Sequence, residues 1–114
     1  MSVESSPAVE VYNHDQFAFY PTEKRVITPT HTVSLQNPEY AILRILTLCE
    51  DDVVSIKDIQ EILSLSYGRS FQDKTIETHI SNLRKKLGIK DTNTIETVKK
   101  YGYRFNTSKL VLAY

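Results

Sequence analysis

The sequence is poor in the residues that most chemical sites require. It has one cysteine, Cys49, so no intramolecular disulfide can form, which fits a reducing cytosol. It has three glycines, too few for a phosphate-cradling loop. The G-x-S-x-G, G-x-x-x-x-G-K-[ST] and G-x-G-x-x-G patterns are all missing. No two of its three histidines, His14, His31 and His79, share a helical turn, and with no second cysteine a zinc site lacks ligands. The longest apolar run, Leu110 to Tyr114, is five residues, whereas a membrane helix needs about 20. The opening M-S-V-E-S-S-P has neither the basic start nor the apolar stretch of a secretory signal. Carboxylate pairs such as Asp51–Asp52 read as solvated turns rather than acid/base dyads. Cys49, within an apolar helix pattern, reads as a small core hydrophobe rather than a nucleophile. The expectation is therefore a protein that is not an enzyme, with no cofactor and no metal.

What is present is ordinary globular material. A length of 114 residues, 40% hydrophobic and 25% charged, matches one folded domain. The formal net charge is zero, yet the charge is segregated. Residues 1–66 carry four basic and ten acidic side chains, and residues 67–114 carry ten basic and four acidic. Such asymmetry points to a polyanionic partner for the basic half.

Residues 1–8 read as a loose tail. Four short extended pieces follow, Val9–Tyr12, Phe17–Tyr20, Arg25–Thr28 and Thr32–Leu35, bounded by Pro, Asn, Asp or Thr, and together they predict an antiparallel meander. A first helix is predicted from Asn37 (cap) and Pro38 (first turn) through Tyr40, Ile42, Leu43, Leu46 and Cys49. Val53–Val54 is expected to pair with the meander. A second helix is predicted from Ser55, with Asp58 three residues on, to about Leu65. The third has Asp73 as its cap and Gly88 as its stop. Within it Ile76, Ile80, Leu83 and Leu87 fall within about 60° of one another at 100° per residue. The opposite pole carries Lys74, Thr78, Ser81, Asn82 and Lys85, with Glu77 to the side. A last hairpin is predicted from Thr94–Val98 and Tyr103–Phe105, turning at Lys99–Lys100–Tyr101–Gly102, with Gly102 as the residue free to take positive φ.

A helix that enters the major groove, about 12 Å wide, needs small or hydrogen-bonding side chains at the centre of its outer face and cations at the margins. Thr78, Ser81 and Asn82 suit the centre, and Lys74, Arg84 and Lys85 suit the margins. Lys99, Lys100 and Arg104 add positive charge to the hairpin.

At Asp73-Lys-Thr-Ile-Glu-Thr-His-Ile-Ser-Asn-Leu-Arg-Lys-Lys-Leu-Gly88 and Thr94-Ile-Glu-Thr-Val-Lys-Lys-Tyr-Gly-Tyr-Arg-Phe105 the chain resembles the winged helix-turn-helix DNA-binding domain of OmpR/PhoB-type bacterial transcription regulators, also found in ToxR- and CadC-like regulators. The resemblance covers roughly residues 9–106 and implies an α+β fold: an N-terminal antiparallel sheet, three helices and a C-terminal β-hairpin wing. It implies base contacts from Thr78 and Asn82, and phosphate contacts from Lys74, His79, Ser81, Arg84, Lys85 and Thr97. It also implies a wing of Lys99, Lys100, Tyr101 and Arg104 reaching toward the minor groove. The implied partner is double-stranded DNA, with RNA polymerase and a head-to-tail homodimer on DNA left open, in the cytoplasm. Departures are Ser81 and Asn82 where members often carry arginine, Lys100 in place of a wing glycine, and Leu65 or Tyr67 near a common tryptophan. With eight residues before the first strand, the expectation is a free-standing protein or the cytoplasmic part of a membrane-tethered, ToxR-like regulator, with residues 107–114 as a tail. Two alternatives remain at this point. One is a winged-helix protein-interaction module. The other is an RNA-binding sheet using Tyr12, Phe17, Phe19 and Tyr20.

Overall fold

In the computed structural model, residues 11–14, 17–30, 32–88 and 94–109 are described. The expected tail at 1–8, the strand start at Val9, His31, the link 89–93 and the end at 110–114 lie outside them. Four short strands, β1 (Tyr12–His14), β2 (Phe17–Tyr20), β3 (Arg25–Ile27) and β4 (Thr32–Ser34), form an antiparallel meander in sequence order. The first strand sits later than the sequence pattern suggested, because pairing with β2 runs from Tyr12↔Phe19 to His14↔Phe17. Phe17 and Phe19 alternate inward and are fully buried. Phe17 and Phe19 are thus core residues, Tyr12 is packed edge-on against Phe17 and Phe105, and the Tyr20 ring is covered by Arg25, which takes away the support for a row of stacking aromatics on this sheet.

Helix α1 (Asn37–Leu48) is capped by Gln36, not Asn37. The Gln36 backbone N–H donates to the Glu39 carboxylate at 3.1 Å, and this reciprocal bond fixes the start one residue earlier. Glu39 is itself buried and ion-paired with Lys86 at 2.8 Å, which joins the start of α1 to the end of the third helix. Cys49 closes α1 as its C-cap and is exposed, so its core assignment is wrong: the apolar stripe of α1 ends at Leu46, one turn earlier.

Strand β5 (Val53–Ser55) pairs with β7 and not with the meander. Helix α2 (Ile56–Tyr67) is capped by Ser55, whose hydroxyl accepts the Asp58 N–H at 3.0 Å, and runs past the expected end at Leu65 to a C-cap at Gly68 with φ 69°. Helix α3 (Asp73–Leu87) starts after Gln72, so Asp73 is its first residue rather than its cap, and Gly88 ends it at φ 62°. Strands β6 (Ile95–Val98) and β7 (Gly102–Phe105) form the hairpin, and the second sheet runs β5-β7-β6. The core between the two sheets is filled by Ile42, Leu43 and Leu46 of α1, Ile59 and Leu63 of α2, and the Ile76–Ile80–Leu83–Leu87 stripe of α3. Phe105 lies 5.9 Å from Phe17, centroid to centroid, which ties the wing sheet to the meander. Three helices between a four-stranded sheet and a hairpin wing make the α+β winged helix-turn-helix that the resemblance implied.

Candidate nucleic-acid interface

Burying the aliphatic stripe of α3 forces its opposite side outward. Lys74, Glu77, Thr78, Ser81 and Lys85 are exposed in one ridge, while Asn82 and His79 are half-buried on a shoulder. At about 100° per residue Glu77 stands about 90° from the pole opposite the buried stripe, to its side as the sequence reading had it, and Asn82 stands on the other flank. Its carboxylate stands 4.0 Å from the Lys74 ammonium one turn earlier. The Thr78 hydroxyl donates to the Lys74 carbonyl at 3.0 Å, leaving its methyl and acceptor lone pairs for other contacts.

His79 faces away from the ridge, and its Nδ1 is buried without a hydrogen-bond partner. Its pKa is lowered, chiefly by burial and further by the Arg69 charge, against an opposing pull from Glu39. Arg69 follows α2 and stacks over the Phe71 ring at 4.1 Å. Sequence reasoning missed this cation, although it lies in the basic half between two predicted helices.

Arg84 and Thr97, both expected on phosphates, come together. Arg84 Nε donates to the Ile95 carbonyl at 3.1 Å and Nη2 to the Thr97 hydroxyl at 3.1 Å. Thr97 is otherwise exposed. Lys99, Lys100 and Tyr101 form the exposed tip, where Tyr101 N–H donates to the Val98 carbonyl at 2.9 Å. Lys100, at φ 72°, takes the positive-φ position of this turn. Gly102 does not, contrary to expectation. It is needed because a Cβ there would lie 1.9 Å from the Val54 carbonyl oxygen. Arg104 stands two rungs back from the turn, where it pairs with Glu96 at 2.6 Å rather than joining the tip. The ridge and the tip are therefore brought onto one assembly, and Arg104 is held on the body of the wing sheet.

A polar, partly cationic helix ridge beside a cationic hairpin tip can follow the alternation of groove and backbone in a duplex. Residues 30–105 match the family described as transcriptional regulatory protein, C terminal. The chain belongs to this family. No curated protein matches it by sequence. Among solved structures it is similar to the DNA-binding domain of Klebsiella pneumoniae RstA in complex with the RstA box, at 22% identity and TM-score 0.71, over 86% of this chain and 98% of that one. It is similar to the DNA-binding domain of CpxR from E. coli at 26% identity and TM-score 0.69, over 85% and 96%. It is also similar to the DNA-binding domain of E. coli CadC at 20% identity and TM-score 0.69, over 93% and 96%. At these identities the RstA and CadC likenesses speak to fold. Among the described residues of this family member, no helix is long and apolar enough to cross a membrane.

Proposed function

We propose that the chain, over residues 9–106, is the sequence-specific double-stranded DNA-binding domain of a bacterial transcriptional regulator. The observation that carries this reading is the exposed Lys74–Thr78–Ser81–Lys85 ridge of α3, a helix whose first residue shares a cleft with the Lys100–Tyr101 tip, in a member of this family. Helix α3 enters the major groove, with Thr78 and Asn82 toward bases and Lys74, His79, Ser81, Arg84, Lys85 and Thr97 toward phosphates. The tip reaches toward the minor groove, and Arg104 braces the sheet behind it. Similarity to domains described as DNA-binding, one of them bound to its box, supports this assignment.

A salt titration tests it. Log K against log salt falls with a slope of about −0.9 per phosphate neutralised, so six to ten contacts give a steep line. A flat line on duplexes selected from a random pool removes the proposal and leaves the protein-interaction module. The same reading carries three finer elements: a cytoplasmic location, head-to-tail pairing of two copies on direct repeats, and contact with RNA polymerase. Footprints showing a single isolated site, or no polymerase recruitment at bound promoters, remove the latter two.

A further inference from the structure

The hairpin tip is not free-standing. The backbone N–H of Ile56, the first residue of α2, donates to the Tyr101 carbonyl at 3.0 Å. One residue on, Gly102 passes so close to Val54 that no side chain fits between them. The tip and the start of α2 are therefore one rigid piece. Between that piece and the start of α3 lies an open cleft of about 440 Å³, lined by Lys57, Gln60, Asp73, Lys100 and Tyr101.

A duplex that receives α3 in its major groove and the tip in its adjacent minor groove must lay the intervening sugar–phosphate strand across whatever separates the two. Here that is this cleft. Its cations are Lys57 and Lys100, both exposed and, among the described residues, without an ion-pair partner. Its acid, Asp73, already accepts a hydrogen bond from Gln60 Nε2 at 2.7 Å. Lys57 lies in the acidic half of the sequence, where charge segregation gives no reason to look for a DNA contact. Only the fold carries it to the basic side.

We propose that Lys57 is a DNA-contacting residue that holds a phosphate of the strand crossing this cleft, so that α2 and the wing tip form one composite backbone clamp. This rests on the reading of the chain as a duplex-binding domain, and its test separates the two. The probe is a duplex of fixed sequence, selected on the wild-type chain from a random pool and titrated with salt. Lys57→Gln is expected to shorten the log–log slope by about 0.9, so that the wild-type advantage shrinks about three- to fourfold between about 50 mM and about 200 mM salt. Lys57→Arg is expected to restore the wild-type slope. Ethylation of one phosphate between the major- and minor-groove footprints is expected to block the wild type and to leave Lys57→Gln indifferent. Thermal melts of the variants check that the exposed substitution leaves the fold intact. A steep wild-type line with an unchanged Lys57→Gln slope overturns the clamp and leaves the DNA-binding reading standing. A flat wild-type line overturns both.

Discussion

Arg84 on α3 reaches across to β6 and donates from Nη2 to the Thr97 hydroxyl at 3.1 Å. With its further bonds to the Ile95 carbonyl, the guanidinium is a strut that fixes the wing strand against α3. A planar fork can make these bonds together, whereas an ammonium cannot. Arg84→Lys keeps the charge and is expected to lose about 1–2 kcal/mol of stability in urea unfolding, because a half-buried carbonyl loses charged donors. DNA affinity falls with it while the salt slope holds. Were Arg84 only a phosphate contact, the lysine variant would unfold at the wild-type midpoint.

The hairpin divides its backbone demands between two neighbours. Gly102 is fixed by close approach, since a Cβ would sit 1.9 Å from the Val54 oxygen. Gly102→Ala is expected to cost at least about 2 kcal/mol, in the range of overpacking and broken strand pairing. Lys100, at φ 72°, bears the positive φ instead. Lys100→Gly relieves a left-handed non-glycine residue and is expected to raise stability by about 0.5–1 kcal/mol. It also removes a tip cation, so the salt slope shortens by about 0.9. A Lys100→Gly variant that is both more stable and unchanged in slope would mean the tip touches no phosphate.

How far the sequence foretold this arrangement follows from the range of each interaction. The three helices were legible because their periodicity is local: the stripe of Ile76, Ile80, Leu83 and Leu87 and the stop at Gly88 need no neighbour to be read, although the caps of α1 and α3 lie one residue earlier than Asn37 and Asp73. What escaped were contacts between residues far apart in the chain. The partner of Val53–Val54 is Tyr103–Arg104, 50 residues on, and nothing in two valines says which sheet they join. The need for glycine at position 102 comes from Val54, and the burial of Glu39 from Lys86. Cys49 was misplaced because apolar spacing continues for one residue beyond the buried face of α1. For the site, residue types and helix face were readable. That Arg84 would spend its donors within the protein, and Arg104 on Glu96, was not.

His79 gives a pH dependence with a definite sign. Burial lowers its pKa below the ordinary value of 6.5, so the folded state prefers the neutral ring. Across the window from the lowered pKa up to 6.5 the unfolded chain binds more protons, so stability rises with pH and is fully present above 6.5. His79→Gln is expected to flatten the dependence of the urea midpoint between about pH 5 and 7. DNA acts in the opposite sense. A phosphate beside the ring favours the imidazolium, so binding is expected to tighten as pH falls through the same window, again flattened in His79→Gln. Binding that weakens toward acid pH in the wild type would place His79 away from phosphate.

The proposed base readout divides between the ridge and the shoulder of α3. Asn82 is half-buried there, while Thr78 and Ser81 are exposed on the ridge. Burial restricts the rotamers of Asn82, and a pre-set amide is what a bidentate contact to adenine requires. Asn82→Ala is expected to cost about 1–3 kcal/mol on the selected duplex and to relax one base position in a repeated selection. Thr78→Ser keeps the hydroxyl, which is already held by the Lys74 carbonyl, and removes the methyl, so a thymine preference is expected to weaken at another position. Ser81→Ala, by contrast, is expected to weaken binding evenly across sequences. The three selections separate the roles. If Asn82→Ala lowers affinity equally on every duplex while Ser81→Ala shifts a base preference, then Ser81 reads a base and Asn82 grips the backbone, the two roles exchanged relative to the assignment made from the sequence.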